Sequence, residues 1–157
     1  MSHTNAHVSR RRFCAGACQA ASGATLATLF SACGGSSPTS PSGTASMLGV
    51  LSGRFTGSVV QVTVAGSPLA DVGGAALVES TAGLFLLSRT NASAFLAIDA
   101  ICSHESCTVS GADGSEYVCP CHGSRYSRSG QVLAGPARAS LRQFATSFTD
   151  GVVTIGL

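Results

Sequence analysis

The chain has 157 residues, with nine Arg, no Lys, seven acidic residues and a net charge of +2. Only 10 % of it is charged and 19 residues are Gly, which excludes a coiled coil, a highly charged disordered tail and a nucleic-acid binder with a broad basic face. A hydrophobic content of 45 % supports one packed domain of ordinary size with a tail, and seven Cys make that domain chemically unusual.

In chain order, Ser9-Arg10-Arg11-Arg12-Phe13 opens a stretch that runs from Phe13 to Cys33 without a charged residue. A positive start, an apolar middle and a small-residue exit read as a signal peptide over residues 1–32. Ser-Arg-Arg-x-Phe resembles the twin-arginine export signal. After Phe13 the only large apolar residues are Leu26, Leu29 and Phe30, too few for a stable membrane span, so cleavage is expected. The exit Ser31-Ala32-Cys33-Gly34 resembles a lipoprotein cleavage site with Cys33 as the lipidated residue; the alternative is an ordinary cut near Ala32. Residues 33–46 are rich in Gly, Ser and Pro and read as a flexible linker, able to tether the protein to a membrane through its N-terminus. Six Arg and seven acidic residues lie beyond residue 32. The exported form is therefore near neutral, and no nucleic-acid partner is expected.

Residues 47–157 read as one domain of short strands. Val59 to Val64 is β-branched and partly alternating, and Leu84 to Ser88 and Ala94 to Ala100 are short apolar runs joined across Asn91-Ala92-Ser93. Near the end, Leu141 to Phe144 and Val152 to Ile155 flank Thr149-Asp150-Gly151, and Asp-Gly between apolar runs predicts a hairpin. Turn residues recur about every ten positions, so an all-β fold of small sheets is expected. Helix stays open only for Ala75 to Glu79.

The remaining Cys and His gather in two clusters, Cys102-Ser103-His104-Glu105-Ser106-Cys107 and Cys119-Pro120-Cys121-His122-Gly123-Ser124. Two loops with one donor set point to a clamp around a single inorganic centre. Four thiols and two imidazoles can hold a structural zinc with donors to spare. They can equally hold an iron–sulfur cluster of mixed ligation, in which two His replace two Cys on one iron.

Cys-x-His-x-x-Cys followed by Cys-Pro-Cys-His-Gly-Ser-x-Tyr resembles the double signature of the Rieske [2Fe–2S] family, in its high-potential, disulfide-containing branch. That resemblance implies a Rieske-type fold of small antiparallel sheets with a cluster-binding subdomain of two loops. It further implies Cys102 and Cys119 on the inner iron, His104 and His122 on the outer iron, and a disulfide between Cys107 and Cys121. Ser124 and Tyr126 fall at positions whose hydroxyls raise the cluster potential, within a Rieske range of roughly −150 to +300 mV. Gly135-Pro136-Ala137 resembles the proline loop that covers the cluster. Glu105 departs from the pattern, standing where an apolar shielding residue is common. Twin-arginine export suits such a centre, because metal binding and folding are coupled and a threaded chain would lose it.

The function implied is an exported one-electron carrier like the iron–sulfur subunit of a cytochrome bc-type quinol oxidase, accepting electrons from quinol and passing them to a cytochrome. The alternative is a small Rieske subunit or ferredoxin-like partner of another exported oxidoreductase, such as the arsenite oxidase type. A self-contained oxygenase is set aside. Its catalytic iron needs two further His and a carboxylate, and His3 and His7 leave with the signal peptide.

Overall fold

A computed structural model of the chain describes residues 45–157. The signal segment 1–32, the lipidation candidate Cys33 and linker residues 33–44 lie outside the described residues. The chain enters through β1 (Ser46–Met47) and β2 (Gly49–Ser52) and turns into a hairpin of β3 (Arg54–Thr56) and β4 (Val59–Thr63). A meander of longer strands follows, β5 (Ala75–Ser80), β6 (Gly83–Arg89) and β7 (Phe95–Asp99). Four short strands come next, β8 (Gly111–Asp113), β9 (Glu116–Val118), β10 (Arg125–Ser127) and β11 (Val132–Ala134). The last three are β12 (Gln143–Phe144), β13 (Thr146–Thr149) and β14 (Val152–Gly156).

These strands form three sheets. The central one has the order β12-β7-β6-β5-β2, flanked on one side by β13-β14-β4-β3 and on the other by β1-β8-β9-β10-β11. The all-β expectation holds, and no helix occurs among the described residues. Ala75 to Glu79, left open as helix, lies in β5.

One expectation holds with an exception, and another needs correction. The sheets are not wholly antiparallel, since β2 runs parallel to β5 with Gly49 opposite Ala76. Parallel neighbours need a crossover connection, and here the β3–β4 hairpin supplies it in the neighbouring sheet. The Asp-Gly turn does make a hairpin, with Asp150 and Gly151 both at positive φ as a two-residue type I′ turn requires. Its incoming strand, however, is β13 and not the run from Leu141 to Phe144. A two-residue turn fixes Thr149 opposite Val152, so the pairing reaches back only to Thr146. Gln143 and Phe144 instead join the central sheet against β7.

The central sheet is buried on both faces. Ala76, Val78, Phe85, Leu87, Phe95 and Ala97 meet Val60, Val62, Val153 and Ile155 on one side. Leu77, Leu86 and Ile98 meet Val109, Tyr117, Tyr126 and Leu141 on the other. Side chains alternate between faces along a strand, but with both faces covered β6 carries an unbroken apolar run rather than an alternating one. Each fully buried Leu contributes roughly 1.5–3 kcal/mol. The second core does not stop at hydrocarbon: it also contains Cys102 and Cys119.

Candidate metal centre

Two loops emerge from this second core with the same backbone design. The first follows β7 and is closed by an isolated bridge between Ile101 and Thr108. In it the Cys102 N–H donates to the Cys107 carbonyl at 2.8 Å, and the Ser106 N–H donates back to Cys102 at 3.0 Å. The second joins β9 to β10. There the Cys119 N–H donates to the Ser124 carbonyl at 2.8 Å, and the Gly123 N–H donates back to Cys119 at 3.0 Å. Each loop thus closes between a Cys and the residue five places on. The residue four places on turns left-handed in both, Ser106 with φ 54° and Gly123 with φ 71°.

The shared design sorts donors by depth. Cys102 and Cys119 are buried with 3 % and 1 % exposure, both as free thiols. The side chains of His104 and His122 are 28 % and 49 % exposed, their rings 4.9 Å apart and perpendicular. Cys107 and Cys121 form a disulfide that ties the two loops across a sequence separation of 14. A Cys₂His₂ set remains, which on chemistry alone serves either one zinc or a [2Fe–2S] cluster of mixed ligation. All four residues named from the sequence come together, as does the disulfide pair.

One hydroxyl reaches a thiol, and a second lies buried in the second loop. Tyr126, fully buried on β10, places its Oη 3.2 Å from Cys102 Sγ and accepts the Ser103 N–H at 3.2 Å. Burial and the contact with Cys102 push the Tyr126 phenol up, so it stays protonated and can donate. Burial works against a Cys102 thiolate, but the hydrogen bonds from Tyr126 and from the His104 N–H outweigh it and lower its pKa. Burial together with the neighbouring Cys102 raises that of Cys119. Ser124 is also fully buried, and its Oγ accepts the Ala137 N–H at 3.2 Å. A hydroxyl can donate while accepting, so its proton remains free to point elsewhere.

A third loop covers the pair. Gly135, with φ 90°, packs so closely that a Cβ there would lie 2.6 Å from the Ser124 Cα. Ser103 Oγ donates to the Ala139 carbonyl at 2.6 Å, fastening the same loop to the first. Gly135-Pro136-Ala137 therefore lies against the cluster loops. The Ser103 bridge went unforeseen, because nothing in Cys-Ser-His announces a partner 36 residues away. Equally unforeseen was Arg125 on β10, which pairs with Asp113 at 2.6 Å and with Glu116. This network fastens β8, β9 and β10 directly beneath the second loop.

Glu105 stands between the imidazoles. Its carboxylate oxygens lie 3.7 Å from His122 Nδ1 and 4.0 Å from His104 Nε2, and its side chain is 61 % exposed. The rim of the site therefore carries a negative charge rather than an apolar shield.

Comparison with known proteins resolves the choice of cofactor. The family model described as "Rieske [2Fe-2S] domain" matches residues 54–145. The chain is 32 % identical over 62 residues to the cytochrome b6-f complex iron-sulfur subunit of Chlorobaculum tepidum, covering 39 % of this chain and 34 % of that protein. It is 44 % identical over 59 residues to the corresponding subunit of Prochlorococcus marinus (strain NATL1A), covering 37 % and 33 %. The chain thus matches about a third of the length of these curated relatives. Among solved structures, Sphingomonas yanoikuyae B1 ferredoxin superposes with a TM-score of 0.50 at 18 % identity, over 72 % of this chain and 98 % of that one. At that identity the likeness concerns the fold alone. The cofactor that follows from the family match is a Rieske-type [2Fe–2S] cluster.

Proposed function

Because this chain belongs to the Rieske [2Fe–2S] domain family, we propose that it is an exported one-electron carrier that accepts electrons from quinol and passes them to a cytochrome. Cys102 and Cys119 would hold the inner iron, His104 and His122 the outer. The cluster supplies reversible one-electron transfer. The observation that carries the proposal is the sorting of donors by depth: two buried thiols, and two imidazoles at the solvent face of a disulfide-tied loop pair.

The chain's own residues do the rest. Tyr126 donates its hydroxyl proton toward Cys102, offsetting negative charge on that sulfur. Ser124, itself fully buried, accepts the Ala137 N–H and retains a proton to donate. The third loop, pinned through Ser103 and Ser124, excludes solvent from the thiols and lowers the local dielectric. His104 and His122 present ring nitrogens where a proton can be exchanged with a substrate. A quinol gives up an electron and a proton together, which this arrangement can accept. Voltammetry between about pH 6 and 10 should show the midpoint falling as pH rises, approaching about 59 mV per unit where one proton accompanies one electron. A flat profile would contradict proton coupling.

Glu105 supports a second reading, in which the carrier serves as a small subunit or ferredoxin-like partner of another exported oxidoreductase, such as an arsenite oxidase type. An exposed carboxylate between the imidazoles suits a basic protein surface better than a neutral head group. Electron transfer to such a partner should slow with rising salt and lose part of that dependence in Glu105→Gln. The twin-arginine signal over residues 1–32 and lipidation at Cys33 complete the proposal, which locates the domain in the periplasm or on the outer face of the cytoplasmic membrane. Mass spectrometry of the exported chain, read for a diacylglyceryl Cys33, tests that placement.

A further inference from the structure

Residues 102–107, 119–124 and 135–139 make up the two ligand loops and the loop that covers them. Imidazoles aside, they hold only two charged residues, Glu105 and Arg138. Glu105 stands between the ring nitrogens of His104 and His122. Arg138 lies on the third loop, where both of its neighbours are anchored. The Ala137 N–H donates to Ser124 Oγ of the second loop at 3.2 Å, and the Ala139 carbonyl accepts Ser103 Oγ of the first at 2.6 Å. Ala137 is buried, whereas Arg138, between the two anchors, is exposed. Its backbone is therefore held against both ligand loops while its side chain meets solvent.

Neither residue meets a fixed opposite charge inside the domain. Among the described residues, Arg125 pairs with Asp113 and Glu116, and Glu105 approaches only the two imidazoles. Arg138 takes part in none of these contacts and does not pair with Glu105. Backbone groups of Ala137 and Ala139 fasten the third loop, so that attachment does not use the guanidinium. A solvated surface charge contributes little to folding. What it does contribute is a field, here beside the solvent-facing imidazoles.

That field has two signs. A uniformly basic partner surface is drawn by Glu105 and opposed by Arg138, and a uniformly acidic one meets the reverse. Only a surface that alternates in sign satisfies both charges and is held in one orientation. We propose that Arg138 is a specificity-determining residue of the docking face. The partner is a redox protein that sets a basic group against Glu105 and an acidic group against Arg138. This rests on the chain's function as an electron carrier and narrows the kind of protein it serves. Arg138 acts on the encounter and not on the cluster, so its removal changes partner choice without changing the midpoint.

The test uses the full cluster-loaded chain, reduced, with stopped-flow oxidation by three one-electron acceptors. These are ferricyanide (an anion), tris(phenanthroline)cobalt(III) (a cation) and a uniformly basic cytochrome c. Each takes one electron from the reduced cluster, and voltammetry on every variant checks that the driving force is unchanged. At low salt Arg138→Gln should slow ferricyanide about twofold or more and speed both cationic acceptors by a similar factor. Glu105→Gln should do the opposite, and high salt should bring the variants together. Arg138→Lys, which keeps the charge, should behave as the parent. Arg54→Gln makes the same change in net charge at an exposed position on β3, beyond the central sheet, and should leave all three rates near the parent values. Unchanged rates in Arg138→Gln, equal shifts in Arg54→Gln, or all three acceptors moving in one direction with a changed midpoint would overturn the proposal alone. A parent chain that reduces none of the acceptors would overturn the electron-carrier function and this proposal with it.

Discussion

Tyr126 connects a buried strand to the chemistry of the site. Its hydroxyl meets Cys102 Sγ, the Ser103 N–H and Ser103 Oγ, each at 3.2 Å. A hydrogen bond onto a sulfur that gains negative charge on reduction favours the reduced state. A net bond of roughly 1 kcal/mol corresponds to about 40 mV for a one-electron couple. Tyr126→Phe should therefore lower the midpoint by that order while leaving the ring, and hence the core packing, in place. An unchanged potential measured by voltammetry would remove Tyr126 from tuning. Ser124→Ala should shift it the same way, with a further loss of loop stability because the Ala137 N–H would lose its acceptor. At this scale the sequence is most legible. Thiol and imidazole are rare donors whose clustering isolates the two loops, while the choice of Cys102, His104, Cys119 and His122 within them, like Ser124 and Tyr126, is reached through the family pattern. Ser103 and Arg125 are not legible, because their roles depend on which strand or loop passes nearby.

The elements that present these residues are short, and covalent or close-packed fasteners hold them. The disulfide between Cys107 and Cys121 closes a loop for which a chain-entropy estimate gives roughly 3 kcal/mol. A cluster bound by both loops already restrains them, so the increment in the loaded protein should be smaller. The double variant Cys107→Ser with Cys121→Ser should lower the thermal midpoint more in cluster-free than in loaded protein. Equal losses would mean that the cluster does not link the loops. Gly135 is the second fastener, since a side chain there collides with the Ser124 backbone at a left-handed φ of 90°. Gly135→Ala should push the third loop off the second, seen as lower stability and faster loss of cluster absorbance in air. The hairpin at Asp150-Gly151 was readable because both residues tolerate positive φ. Its partner strand was not, because Leu141 to Phe144 looks as apolar as a hairpin strand yet serves another sheet.

The whole molecule is three sheets in which one core becomes the floor of the site. Leu86 and Ile98 pack in the same cluster as Cys102 and Cys119, so the rigidity of the central sheet passes directly to the thiols. The all-β class was legible from turn spacing and short apolar runs. The layer order was not: a strand covered on both faces loses the alternation that would tell one side from the other, and β6 is such a strand. The parallel pairing of β2 with β5 was hidden for a related reason, since it joins strands separated by a hairpin in a different sheet. All of this converges on one claim, that two buried thiolates and two exposed imidazoles of this chain hold a [2Fe–2S] cluster. Pulsed electron paramagnetic resonance on the reduced full chain, with iron and acid-labile sulfide assayed on the same sample, tests it most directly. The result expected is about two irons and two sulfides per chain, with a reduced-cluster signal coupled to two imidazole nitrogens. Stoichiometric zinc without iron, or an iron–sulfur signal with no nitrogen coupling, would contradict it.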